Sequence, residues 1–230
     1  MLIDRVIAPY FETNCWILAS KIGQECIIVD PGMARPNLVN EIVTKVSEHN
    51  LKPIAVLITH GHLDHMFSVL PLTAQIPMRT FISAADRFLL IDPMGALDRN
   101  GISQQFLDAF GVAKLKEPDE IVELGDFETF ELAGMQVTSI FAPGHTKGSV
   151  IFTVDDQQLI SGDVLFAGSI GRTDLPTGSA SQMRNTLRDR ILTLPDGLNV
   201  LPGHGGQTTI GIERVRNPYL QSDFLDQSGR

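Results

Sequence analysis

Residues 57–65 read LITHGHLDH, and the reading of this stretch decides the fold. It holds three of the chain's six histidines, with an aspartate between the last two. The apolar run Ile54–Ile58 that feeds it has the length and character of a buried strand. In extended chain, side chains at i and i+2 point the same way, so His60 and His62 are placed to grip one ion together. Asp64 and His65 are neighbours at the point where the chain turns into a helix. They are therefore thrown toward a different point. That geometry suits two adjacent metal ions.

Working outward, the same grammar recurs: a strand, then a short loop with Gly or Asp. His145 stands in FAPGHT, His204 in VLPGHG, and Asp163 in LISGD. Strand-end loops on a rigid sheet can present ligands that converge on one point. The expected completion is His145 with His60 and His62, His204 with Asp64 and His65, and Asp163 as a carboxylate bridging both ions. Such a donor set leaves room for a shared water. His49, in SEHN, ends an amphipathic helix and reads instead as solvated surface.

The rest of the chain alternates strands with helices. Strands are expected at 2–7, 14–19, 26–30 and 53–58. A helix opened by Pro36 carries the stripe Val39, Ile42, Val43 and Val46. HMFSVLPLT, from His65, continues as a helix that is interrupted or ends near Pro71. Residues 84–118, broken by Pro93, Gly95 and Gly101, read as a helical excursion beside the site. From 119 the pattern turns β-rich through EIVEL, FETFEL, MQVTSIFA, GSVIFTV and QQLISGDVLF. A helix over 181–194 buries Met183, Leu187, Ile191 and Leu194, with Ser179 and Gln182 as a capping box. A short strand at NVLPGHG, a helix from about Thr208 to Arg216 and a tail to 230 complete the chain. Each half is strands followed by helix and strand. An α/β (α+β) chain forming one domain over 1–230, two mixed sheets face to face with helices outside, accounts for this.

Composition narrows the function. With 43% hydrophobic and 20% charged residues the chain is that of a globular protein, and at 230 residues it can bury a core without staples. A net charge of −9 with no basic run argues against a nucleic-acid partner. MLIDRVIAPYF lacks the pattern of a signal peptide, and no apolar stretch reaches membrane-spanning length. Cys15 and Cys26 form no Cys-x-x-Cys motif and read as buried reduced thiols. A cytoplasmic location without membrane contact is the expectation; the sequence carries no signal for oligomeric state.

The motifs TNCWIL, IIVDPG, THGHLDH, APGHTKGS, SGDVLF, GRTDLP and LPGHG together resemble the metallo-β-lactamase-fold hydrolases over nearly the whole chain. Within them the chain is similar to the short glyoxalase II-type, or hydroxyacylglutathione hydrolase-like, enzymes. The resemblance implies a four-layer αββα sandwich with a dinuclear site at its edge. It also implies the ligand set His60, His62, Asp64, His65, His145, Asp163 and His204, and two divalent ions, zinc first, with iron and manganese as alternatives. Two differences bear on substrate. Long glyoxalase II enzymes carry a further helical region that helps bind glutathione, where 26 residues follow His204 here. Secreted lactamases of the main zinc subclass have Cys at the position of Asp163.

The expected chemistry is hydrolysis of a small-molecule thioester, an S-2-hydroxyacyl thiol conjugate, by a metal-bridging hydroxide positioned by Asp64 and Asp163. A thiolate with a conjugate acid near pKa about 8.5 departs without a strong general acid. Arg172, in GSIGRTDLPTG (168–178), is placed to meet a substrate carboxylate, with pairing to Asp174 as its structural alternative. Lys147 is a second candidate contact. The alternative function is a mononuclear iron persulfide dioxygenase using His60, His145 and Asp163. A lactonase, a nuclease and a non-catalytic binding module on the same fold are further alternatives.

Overall fold

The computed structural model describes residues 1–96 and 115–226. Among these residues, twelve strands lie in two six-stranded sheets. The first is built in sequence order from β1 (Leu2–Ile7), β2 (Asn14–Ala19), β3 (Glu25–Val29), β4 (Lys52–Leu57), β5 (Arg79–Ile82) and β6 (Ile121–Glu123). The β1–β2 and β2–β3 pairs are antiparallel, and from β3 to β6 the pairing is parallel. The second sheet runs β12 (Thr208–Thr209), β11 (Asn199–Pro202), β10 (Gln158–Gly162), β9 (Val150–Val154), β8 (Met135–Phe141), β7 (Glu128–Leu132). Only β10–β11 is parallel there.

Period-two alternation sends the strands' side chains into two different cores, since both faces of each sheet are covered. Trp16, Leu18, Ile27, Val29, Ala55 and Leu57 pack inward against Met135, Val137, Phe152, Val154, Ile160 and Leu201 of the other sheet. Their neighbours Cys15, Ile17, Cys26, Ile28, Val56 and Ile58 face outward. There they meet helices α1 (Val39–Glu48), α2 (Leu63–Met66) and α3 (Val69–Gln75). On the far side, Ile140, Ile151, Leu159 and Val200 meet α4 (Ala180–Thr186) and its π-helical continuation Leu187–Ile191, together with α5 (Ile210–Arg216) and α6 (Ser222–Leu225). The layers run helix, sheet, sheet, helix, as expected. Both cysteines are free thiols at 0% exposure, also as expected.

Several boundaries differ from the sequence reading. α1 starts at Val39 rather than Pro36, because Ser68 Oγ and Asn37 Oδ1 accept the Leu38 and Val39 N–H groups at its entry. The helix after His65 breaks at Phe67–Ser68, not at Pro71. Ser68 is recruited by the Pro31–Gly32 turn, its N–H going to Pro31 O and its hydroxyl to Gly32 O. Pro71 falls in the first turn of α3, where no intrahelical donor is needed. The capping box of α4 is half formed: Ser179 accepts the Gln182 N–H, but its own N–H goes to Gly144 O. β5 and β12 were not expected as strands. Of the excursion at 84–118, residues 97–114 lie outside the described residues. Arg87–Leu90 and Pro93–Ala96 form 3-10 turns that bury Leu89 and Leu90. The expected tail to 230 is described as far as Asp226. No helix among the described residues is long and apolar enough to cross a membrane.

Candidate metal centre

The seven predicted ligands come from four strand-end segments on both sheets, one of which runs on into a helix. His60 and His62 follow β4, and Asp64 and His65 lie in α2. His145 follows β8, Asp163 follows β10, and His204 follows β11. They converge at one edge of the sandwich in two trios, His60–His62–His145 and Asp64–His65–His204. His60 Nε2 lies 3.1 Å from His62 Nδ1 and 3.2 Å from His145 Nε2. His65 and His204 meet Nε2 to Nε2 at 3.2 Å, each 3.4 Å from Asp64 Oδ2. Asp163 stands between the trios. Its Oδ2 lies 3.5 Å from His145 Nε2 and 3.4 Å from His204 Nε2, and its Oδ1 lies 3.3 Å from His65 Nε2.

The outer atoms of these rings fix where their protons sit. Asp30 Oδ2 accepts from His65 Nδ1 at 3.0 Å and from the Thr59 hydroxyl at 2.6 Å. With its proton committed to Asp30, Thr59 Oγ1 accepts from His60 Nδ1 at 3.0 Å. The Arg172 carbonyl accepts from His145 Nδ1 at 2.7 Å. A neutral imidazole with Nδ1 protonated presents a lone pair at Nε2. His60 and His145 therefore aim bare lone pairs inward, at other nitrogens and at a carboxylate, while His65 turns its Nε2 toward the carboxylates of Asp64 and Asp163. Asp163 Oδ1 is buried and, among the described residues, accepts no hydrogen bond.

A metal ion resolves this arrangement. In a tetrahedral site with bonds of about 2.0–2.1 Å, donor atoms sit about 3.3 Å apart. The observed edges of 3.1–3.5 Å are of that size. The histidine–carboxylate and histidine–carbonyl bonds behind them are the outer contacts that orient metal-binding imidazoles. Electrostatics separates the two halves of the site. Burial, with the neighbouring imidazoles, pushes His60 well below the usual range and His62 down to about 3. In the other half burial opposes charge on His65, but Asp163 and Asp64 overcome it and raise His65 well above its ordinary value. Burial is likewise outweighed at His204, which hydrogen bonds to Asp163 and Asp64 bring up to about 9. Burial would raise Asp64, yet His65 and His204 hold it at about 2.

The remaining sequence candidates lie at the rim. Arg172 Nε and Nη2 make a bidentate contact with Asp174 at 2.8 and 2.6 Å, with side chains 60% and 66% exposed. Lys147 is exposed two residues beyond His145. His49 is not simply solvated: it is half-buried against Asp4 Oδ2 at 2.8 Å. Sequence reading missed Asp30, Thr59 and Thr13, whose hydroxyl donates to Asp64 Oδ2 at 3.2 Å. IIVDPG carried a signal for Asp30, a polar residue closing an apolar strand, but nothing in it says which ring it will meet.

A model of the metallo-beta-lactamase superfamily matches residues 8–204. Hydroxyacylglutathione hydrolase GloC of Haemophilus influenzae is 32% identical over 225 residues, covering 96% of this chain and 99% of its own. The crystal structure of BLEG-1 B3 metallo-beta-lactamase superposes with a TM-score of 0.81 at 29% identity, over 95% of this chain and 99% of that one. The TTHA1623 protein, solved in a di-iron-bound form, gives a TM-score of 0.75 at 30% identity, over 94% and 100% of the two chains.

Proposed function

The chain belongs to the metallo-β-lactamase superfamily, whose members are mostly metal-dependent hydrolases, and from that premise we propose that it is a dinuclear thioesterase of glyoxalase II type. The observation that carries the dinuclear reading is Asp163, whose Oδ2 is shared between a histidine of each trio. His60, His62 and His145 would hold one ion, Asp64, His65 and His204 the other, and Asp163 would face both. The nitrogen and oxygen donors suit zinc, iron or manganese. Two divalent ions bound there would lower the pKa of a shared water from about 15.7 toward about 7 and polarise a substrate carbonyl.

The chain's own residues then have distinct tasks. Asp64 and Asp163 orient the attacking water by accepting hydrogen bonds from it. Thr13 holds Asp64 in place, donating to the oxygen that faces His65 and His204. Asp30, Thr59 and the Arg172 carbonyl keep three imidazoles in the tautomer that turns Nε2 inward. A thiolate leaving group needs no strong acid, and none lies among these residues. Similarity to a hydroxyacylglutathione hydrolase supports an acyl thiol conjugate as substrate. Lys147 and Arg172 stand at the rim as candidate contacts for its carboxylates, Arg172 by exchanging Asp174 for substrate.

The mononuclear iron dioxygenase needs only His60, His145 and Asp163, and leaves the Asp64–His65–His204 trio without a task. Metal analysis with parallel assays on S-lactoylglutathione and glutathione persulfide separates the two. Two ions per chain with thioester cleavage are expected; one iron per chain with oxygen uptake would overturn the hydrolase.

A further inference from the structure

Asp86 is a buried carboxylate that the chemistry above leaves unused. It has 0% exposure and, among the described residues, no ion-pair partner. Three donors from two ligand loops satisfy it instead. Oδ2 accepts the Gly61 N–H at 2.9 Å and the Thr146 hydroxyl at 2.7 Å, and Oδ1 accepts the Gly148 N–H at 2.8 Å. Gly61 separates His60 from His62. Thr146 and Gly148 follow His145. Every protein group that Asp86 holds thus lies beside a ligand of one trio, and none lies beside Asp64, His65 or His204.

The contact spans the sandwich. Gly61 follows β4 of the first sheet, while Thr146 and Gly148 lie between β8 and β9 of the second. Both glycines are there for close approach. A Cβ on Gly148 would meet Asp86 Cγ at 2.5 Å, and one on Gly61 would meet Leu89 Cβ at 2.7 Å. Two oxygens with three donors is an arrangement that only a carboxylate satisfies fully, since an amide offers one acceptor oxygen and a donor where the other stood. The other trio is held from a different side. There β2 pins the His204 loop through Asn14 N–H to Gly203 O at 2.7 Å and Trp16 Nε1–H to Pro202 O at 2.9 Å.

We propose that Asp86 is a positioning residue for one half of the metal centre, tying the His60–His62 loop to the His145 loop across the two sheets. The inference rests on reading those three histidines as metal ligands. It makes the two halves separately tunable, one through Asp86 and the other through β2.

Cobalt(II) titration of the full chain against a competing chelator tests this, the two binding steps being assigned with His62→Ala and His204→Ala. Asp86→Asn should weaken the step that His62→Ala removes by about 10–100-fold, the usual effect of losing an outer partner. The step that His204→Ala removes should stay within about twofold. Equal weakening of both steps, or of neither, would overturn the proposal. Should Asp86→Asn fail to fold by circular dichroism, Thr146→Val removes one donor of the three and should shift the same step several-fold; an unshifted step overturns the proposal equally. A wild-type chain that binds one ion overturns the dinuclear reading, while the effect of Asp86→Asn on that ion still decides the inference. A chain that binds none overturns the metal reading and the inference with it.

Discussion

At the scale of single residues, the centre is packed so closely that glycine acts as a positional requirement. Gly203, before His204, has no room for a methyl group: a Cβ there would run into Asp163 Oδ1 and would meet His65 Cε1 at 2.7 Å. Gly171 is equally constrained, its Cβ colliding with Asp163 O and meeting His145 Nδ1 at 2.9 Å. Neither constraint concerns backbone torsion, since neither glycine adopts a positive φ. Asp163 is therefore held by absent side chains as well as by present ones. Gly203→Ala should displace Asp163 by a fraction of an ångström to an ångström, and a misplacement of that order costs about 100-fold in rate. Thioesterase kinetics with metal counting checks this. The expected variant is folded, substoichiometric in metal and slower by about two orders of magnitude; full metal and full rate would show that the site yields without cost.

At the scale of elements, stability and metal affinity rest on different parts of the fold. Asn14 of β2 is buried and donates through Nδ2 to Pro202 O and Gly205 O, both at 3.0 Å, on either side of His204. Leu187, at 0% exposure beyond α4, packs on the outer face of the second sheet with Met183 and Ile191. Leu187→Ala should cost about 2–5 kcal/mol and leave metal affinity alone. Asn14→Ala should cost about 1–3 kcal/mol from stranded carbonyls and also weaken the ion at His204. Thermal melts and metal titration of both variants check the contrast, which fails if the two variants change both properties in proportion.

What the sequence disclosed divides along the same line. Strand segments with alternating or continuous apolar character were legible, and so were the loops that end them, because both signals are local. β5 was not legible: Arg79–Ile82 is four residues, identified as a strand by its parallel pairing with β4 and β6. The break at Ser68 depends on a turn more than thirty residues earlier in the chain. Both trios were legible from spacing and repetition. Asp30 and Asp86 were not, since an aspartate closing a strand and one in a polar loop look ordinary until the partner loops arrive.

At the scale of the whole molecule, the two halves of the centre differ in how they hold protons. His204 is raised to about 9 in the metal-free fold, above its unfolded value near 6.5. Its contribution to stability is full below pH about 6.5 and is lost as pH rises toward about 9. Asp64, depressed to about 2, contributes above pH about 3.8 and loses that contribution as pH falls through about 2. The metal-free chain therefore draws on both groups between about pH 4 and 6.5. Metal reverses the dependence on His204, because a ligand must shed its proton to bind. Below pH about 9 the ion at Asp64–His65–His204 should bind at least about tenfold more tightly per pH unit. The ion at His60–His62–His145 should bind with a shallower slope, because burial already keeps His60 and His62 neutral, His62 down to about 3. In melts, the rise in Tm on adding metal should therefore be larger at pH 8 than at pH 6, and His204→Ala should abolish that difference. Two binding steps with the same pH slope would show instead that the halves load as one unit, with their protons shared across Asp163.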